Sequence, residues 1–81
     1  MSRVTNVAWV QEQLLKAFPE ATIKVIDTRR DDNHLHAHVI SEQFQGLTLI
    51  QRHRAVYRAL EGEVGYKVHA LTLLTQTPSE A

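Results

Sequence analysis

The 81-residue sequence contains no cysteine. That absence excludes disulfides, thiol catalysis and any zinc or iron–sulfur site built from the chain's own thiolates. Metal ligands would have to be histidine or carboxylate, or come from a partner. No apolar run is long enough to span a bilayer. The N-terminal stretch MSRVTNVAWVQEQ lacks the apolar core of a secretory signal, so a cytoplasmic protein without membrane attachment is expected. An excess of charge of one sign is missing too: nine basic residues offset nine acidic ones. Binding to nucleic acid or an anionic surface would therefore need a local patch. Neither a phosphate-cradling glycine-rich loop nor a serine nucleophile in a recognisable setting occurs, and an enzyme is not expected.

What is present is the composition of one ordinary globular domain, 43% hydrophobic and 22% charged, covering residues 1–81 without repeat or linker. Val4, Val7, Val10, Leu14 and Phe18 recur at helical spacing until Pro19 ends the run, and Ser2, Thr5 and Asn6 are all candidate caps. In ATIKVID, residues 21–27, Ile23 and Val25 alternate with Thr22 and Lys24, as in a strand. TRRDDN, residues 28–33, reads as a solvated turn in which Asp31 and Asp32 pair with Arg29 and Arg30. HLHAHVIS alternates again: Leu35, Ala37 and Val39 take one face and His34, His36 and His38 the other. After Gly46, the residues Leu49, Ile50, His53, Val56, Tyr57 and Leu60 suggest a helix with one buried stripe, ended by Gly62 and Gly65. YKVHALTLL, residues 66–74, reads as a third strand and TQTPSEA as a polar tail.

The order helix, strand, strand, helix, strand predicts an α+β fold. The first two strands form an antiparallel hairpin, and a right-handed helical crossover makes the third parallel to the second. The result is a small mixed three-stranded sheet with its helices on one face and the other face open to water. Parallel strands start at the same end, so His69 and His34 should lie near each other and near the 28–33 loop. His36 and His38 are expected to be polar residues of a wet strand face. Histidines two apart on a strand share a face and could in principle hold one metal ion. His53 is expected to be a hydrogen-bonded histidine at the core edge. Arg52, Arg54 and Arg58 lie off the stripe, with no acid between residues 47 and 60, as a solvated face or as contacts for phosphates or an acidic partner.

SEQFQGLTLIQRHRAVYRAL, followed by VHALTLLTQTP, resembles the signature of the BolA family. The shared features are Ser41, Phe44, Gly46, Arg52-His53-Arg54, Val56, Leu60, His69-Ala70-Leu71 and Thr77-Pro78. The resemblance implies a class II KH-like fold with a further short helical turn, here within residues 61–65. It implies a monothiol glutaredoxin as partner and a [2Fe–2S] cluster shared with that protein and glutathione. The histidine of the HAL motif, His69 here, would be the main ligand, and the monomer or a weak homodimer would be the state alone. The family's second ligand is a cysteine or histidine in the loop between the first two strands. TRRDDN has neither; His34 at its end is the nearest substitute, with Asp31 or Asp32 chemically possible. A competing expectation is a DNA-binding transcriptional regulator using the KH-like fold and Arg52, Arg54 and Arg58, although no clear GxxG loop is present.

Overall fold

The computed structural model describes residues 5–61, 64, 68 and 70–81. Helix α1 runs over Asn6–Ala17, and of the three candidate caps it uses Thr5, whose hydroxyl accepts from the Ala8 N–H at 3.1 Å. Val10, Leu14 and Phe18 are buried, as the spacing predicts, and Pro19 follows the last turn. Strands β1 (Thr22–Asp27) and β2 (His34–Ile40) pair antiparallel, with Ile23 opposite Val39 and Val25 opposite Ala37. A 3₁₀ turn over Glu42–Phe44 leads to Gly46, whose φ of +78° lies in the left-handed region. A Cβ there would meet nothing within 4 Å, so backbone conformation rather than space selects glycine.

Helix α2 spans Leu49–Ala59 and opens with a capping box in which Thr48 and Gln51 each bond the other's backbone N–H. Strand β3 (Ala70–Gln76) returns parallel to β2, giving the sheet order β1-β2-β3. The α+β architecture and the mixed sheet are as expected, and the order is compatible with a class II KH-like topology. The 3₁₀ turn is too short for a periodic pattern to announce it. Of the third strand read in YKVHALTLL, the part from Ala70 is described and it continues through Gln76; residues 66, 67 and 69 lie outside the described residues. So does most of the helical turn expected within 61–65, of which Glu61 and Val64 are described.

Leu35, Ala37 and Val39 are buried beneath the helices, together with Val56, Leu60, Val68 and Leu71. Phe44 fills the end of this core with its ring centroid 5.3 Å from that of Phe18, tilted by 56°. The stripe expected on α2 is corrected. Leu49 and Ile50 are each 64% exposed and Tyr57 is 38% exposed, while Val56 and Leu60 alone are fully buried among its large apolar side chains. Two apolar series run along this helix about 100° apart, and only the one through Val56 and Leu60 meets the sheet. The polar tail is anchored as well: Thr77 is buried and donates its N–H to Glu80 Oε1 at 2.8 Å.

Candidate functional site

The β1–β2 loop is organised around three aspartates. Asp27 Oδ1 accepts from the N–H groups of Arg29 (3.3 Å) and Asp31 (3.2 Å), and its Oδ2 from that of Asp32 (2.7 Å). This folds the loop back on the end of β1 and places Arg30 and Asp32 at φ of 57° and 56°. Asp31 accepts the N–H of Asn33 (2.9 Å) and of His34 (3.0 Å) on Oδ1, while its Oδ2 lies 2.6 Å from His34 Nδ1. Asp32 reaches the other way, to the start of α1. The expected pairing of Asp31 and Asp32 with Arg29 and Arg30 is therefore corrected: the two acids serve an imidazole and a helix N-terminus. First-turn backbone N–H groups need acceptors, and α1 has no acid of its own in that turn.

Desolvation works against ionising Asp31, but the His34 hydrogen bond, the two backbone N–H donors and the charge of His34 outweigh it and bring its pKa down from 3.8 to about 2. Asp31 is thus ionised at neutral pH and can only accept. The proton between it and His34 then belongs to Nδ1, and in the neutral ring the lone pair is on Nε2. Arg29 Nη1 lies 3.5 Å from that Nε2. Thr28 holds the strand start by donating its N–H (2.9 Å) and hydroxyl (2.8 Å) to the His34 carbonyl.

The parallel register sets His34 opposite Ala70, and the Ala70 N–H donates to the Asn33 carbonyl at 3.1 Å. The starts of β2 and β3 therefore lie side by side, as the topology predicts. A cleft of about 250 Å³ opens there, lined by Thr28, Arg29, His34, Leu35, Ala70 and Thr72. His69, the residue before Ala70, lies outside the described residues.

The other histidines are occupied differently. His36 Nδ1 is 2.8 Å from Thr72 Oγ1, and His38 Nε2 is 2.7 Å from Gln76 Oε1, both across the open face of the sheet. His53 departs from expectation: its Nε2 is buried and has no hydrogen-bond partner among the described residues. Arg52 is not part of a free basic face. It donates from Nη1 (2.6 Å) and Nη2 (3.1 Å) to the two oxygens of Glu80, from Nη1 to the Thr75 carbonyl (3.4 Å) and from Nε to the Leu47 carbonyl (3.1 Å). Its guanidinium also stands 5.9 Å from the Phe44 ring centroid. Arg54 and Arg58 remain exposed.

Ser41 is buried. Its hydroxyl donates to Glu20 Oε1 at 2.5 Å, and Glu42 N–H donates to the same oxygen at 2.8 Å. This Ser41 bond, chiefly, lowers the Glu20 pKa. The pair ties the end of α1 to the exit of β2. No local sequence signal announces a bond between residues 21 positions apart.

A three-stranded mixed sheet with two helices on one face and a histidine-bearing sheet end defines a small α+β domain. The sequence profile of BolA-like proteins matches residues 14–80, and the chain belongs to that family. Protein BOLA1 of the Arabidopsis thaliana chloroplast is 39% identical over 51 residues, which are 63% of this chain and 32% of that protein. The DNA-binding transcriptional regulator BolA of Vibrio cholerae is 34% identical over 70 residues, 86% of this chain and 65% of that protein. The solved structure of BolA1 from Arabidopsis thaliana superposes with a TM-score of 0.84 at 28% identity, covering 100% of this chain and 99% of that one. The matched stretch spans about a third or less of the length of the first curated relatives.

Among the described residues no three of His, Cys, Asp or Glu gather to hold a metal ion. His34 has one feature common to metal-binding histidines, a carboxylate on Nδ1 that orients the ring, while Arg29 Nη1 lies 3.5 Å from its Nε2. Among the described residues no helix is long and apolar enough to cross a membrane.

Proposed function

We propose that this chain is a non-enzymatic cytoplasmic partner of a monothiol glutaredoxin. The two proteins and glutathione would share a [2Fe–2S] cluster in iron–sulfur trafficking or in iron and redox regulation. His69 is the main ligand from this chain and His34 the second. One observation carries the reading: the register that pairs His34 with Ala70 brings position 34 to the strand start that His69 precedes, beside a cleft. A [2Fe–2S] cluster with imidazole on one iron supplies one-electron chemistry at a raised potential. In this chain Asp31 orients the His34 ring, Asp32 anchors the loop to α1, and Arg29 brings a positive charge to the same edge.

The test mixes the full chain with a monothiol glutaredoxin, glutathione, iron and sulfide under anaerobic conditions. A heterodimer should form with a visible circular dichroism spectrum distinct from that of the glutaredoxin alone. His69→Ala should abolish that spectrum and His34→Ala should alter it. An unchanged spectrum for His69→Ala removes the proposed ligand.

A second reading, a DNA-binding regulator, is favoured by the name of the Vibrio cholerae relative and by exposed Arg54 and Arg58. Against it stand the balanced net charge and the engagement of Arg52 with Glu80. A mobility shift titrated against salt decides, since each phosphate neutralised adds about −0.9 to the log–log slope. No complex at low salt ends this reading.

A further inference from the structure

Ile50, Arg54, Tyr57 and Arg58 follow one another at steps of four, three and one along α2 and share the side turned away from the sheet. Leu49 and Ile50 are 64% exposed and Tyr57 is 38% exposed, so an apolar strip lies open beside two cations. Neither Arg54 nor Arg58 has an acidic partner among the described residues. Residues 47–60 contain no acid at all, which leaves α2 without the intrahelical ion pairs that usually quiet a basic face.

Two concavities lie on the Ala55 and Arg58 side of α2. One, of about 270 Å³, is lined by Leu47, Gln51, Arg54, Ala55 and Arg58. The other, of about 300 Å³, is lined by Ala17, Phe18, Gln43 and Ala59 and shares Ala55 and Arg58 with the first. Arg58 thus lines two shallow hollows of mixed polar and apolar character. Contiguous exposed apolar surface rimmed by charge marks a contact site more often than a bare solvent face.

The chemistry of the strip selects its occupant. Phosphates would satisfy the two arginines but leave Leu49, Ile50 and the hollows against water. A purely apolar partner would desolvate two cations without compensating charge, which is costly. A segment carrying carboxylates along one side and apolar side chains along the other satisfies both, because guanidinium pairs bidentately with carboxylate. We propose that the outer face of α2 docks an acidic amphipathic segment of a partner protein. The partner's carboxylates bind Arg54 and Arg58, and its apolar side chains cover Ile50, Tyr57 and the adjoining hollows. The surface shares no residue with the cleft at His34, so this inference stands independently of the cluster reading.

The experiment uses the full ¹⁵N-labelled chain and a synthetic amphipathic helical peptide of Leu, Phe and Glu. Its Glu→Gln counterpart and a DNA duplex serve as comparison probes. Amide shifts should concentrate in residues 47–58, and the Gln peptide should bind about tenfold or more weakly, equivalent to about 1.4 kcal/mol. The double variant Arg54→Glu/Arg58→Glu should lose about tenfold or more in affinity, and Ile50→Ser a few-fold, with far-ultraviolet circular dichroism unchanged. His34→Ala should bind the peptide as the parent does. Shifts outside this face, or affinity untouched by the charge reversals, overturn the proposal. Tighter binding of the duplex to the same face assigns it to nucleic acid, and concentration-dependent shifts without peptide assign it to a second copy; either result also overturns it.

Discussion

Asp32 caps a helix that begins 26 residues before it: its Oδ2 accepts the Asn6 N–H at 2.7 Å, and the Asn6 side-chain amide returns a bond to the Asp32 carbonyl at 2.7 Å. Asp32 Oδ1 also accepts the Val7 N–H at 3.1 Å. The loop that leads into His34 is thereby attached to the first helix at one end and to Asp27 at the other.

Replacing Asp32 by alanine leaves two first-turn donors of α1 without their acceptor. The expected loss is about 1–2 kcal/mol, in the range of strong N-caps, read as a lower urea midpoint at constant slope. Amide shifts should spread to residues 28–34. A variant as stable as the parent, with an unmoved loop, would show that Thr5 caps the helix unaided.

Phe44 packs against Phe18 and under Arg52 at the end of the core, fully buried. Phe44→Ala should cost about 3–5 kcal/mol, and Phe44→Leu about 1.5 kcal/mol or less. Against a typical domain stability of about 5–15 kcal/mol, the alanine variant would be marginally folded at best. Thermal unfolding followed by near-ultraviolet circular dichroism separates the two; equal stabilities would contradict the packing described.

Acid should weaken the tail clamp. The Glu80 carboxyl falls from 4.5 to about 2, first through its bonds from Arg52 and then through the Thr77 N–H. A pKa lower in the folded than in the unfolded chain means that the folded chain binds fewer protons. This contribution is complete above about pH 4.5 and disappears as pH falls through about 2. Asp31, lowered from 3.8 to about 2, adds a loss of the same sign. Glu80→Gln should therefore flatten the fall of Tm between about pH 4.5 and 2. A parent and variant with parallel Tm curves would remove the clamp from the acid response.

The Asp31–His34 contact makes a spectroscopic prediction that requires no metal. Long-range ¹H–¹⁵N correlations at neutral pH should find His34 as the Nδ1–H tautomer. Asp31→Ala should move it towards the Nε2–H form that free histidine favours, while His36 and His38 change little. A His34 ring already in the Nε2–H form in the parent would contradict the assignment.

Much of the architecture was legible because its causes are local. Alternation in HLHAHVIS follows from the two-residue strand period, so Leu35, Ala37 and Val39 could only go inward together and His34, His36 and His38 outward. The parallel return of β3 followed from the intervening helix, and with it the meeting of the strand starts at His34 and Ala70. The candidate site is half legible for the same reason: its position follows from topology, whereas adjacency in TRRDDN suggests an Asp31–Arg pair and only the folded loop brings Asp31 to His34.

The amino-acid order by itself determined which segments are helix and strand and which way each strand faces, since those depend on neighbours a few residues apart. Tertiary structure alone decided which of two apolar series on α2 is buried, because both have helical period and only docking on the sheet chooses between them. It also decided that Arg52 clamps Glu80, that Asp32 caps α1 and that Ser41 holds Glu20. Those bonds join residues more than twenty positions apart, and no periodicity encodes which donor a chain reversal will bring to which acceptor.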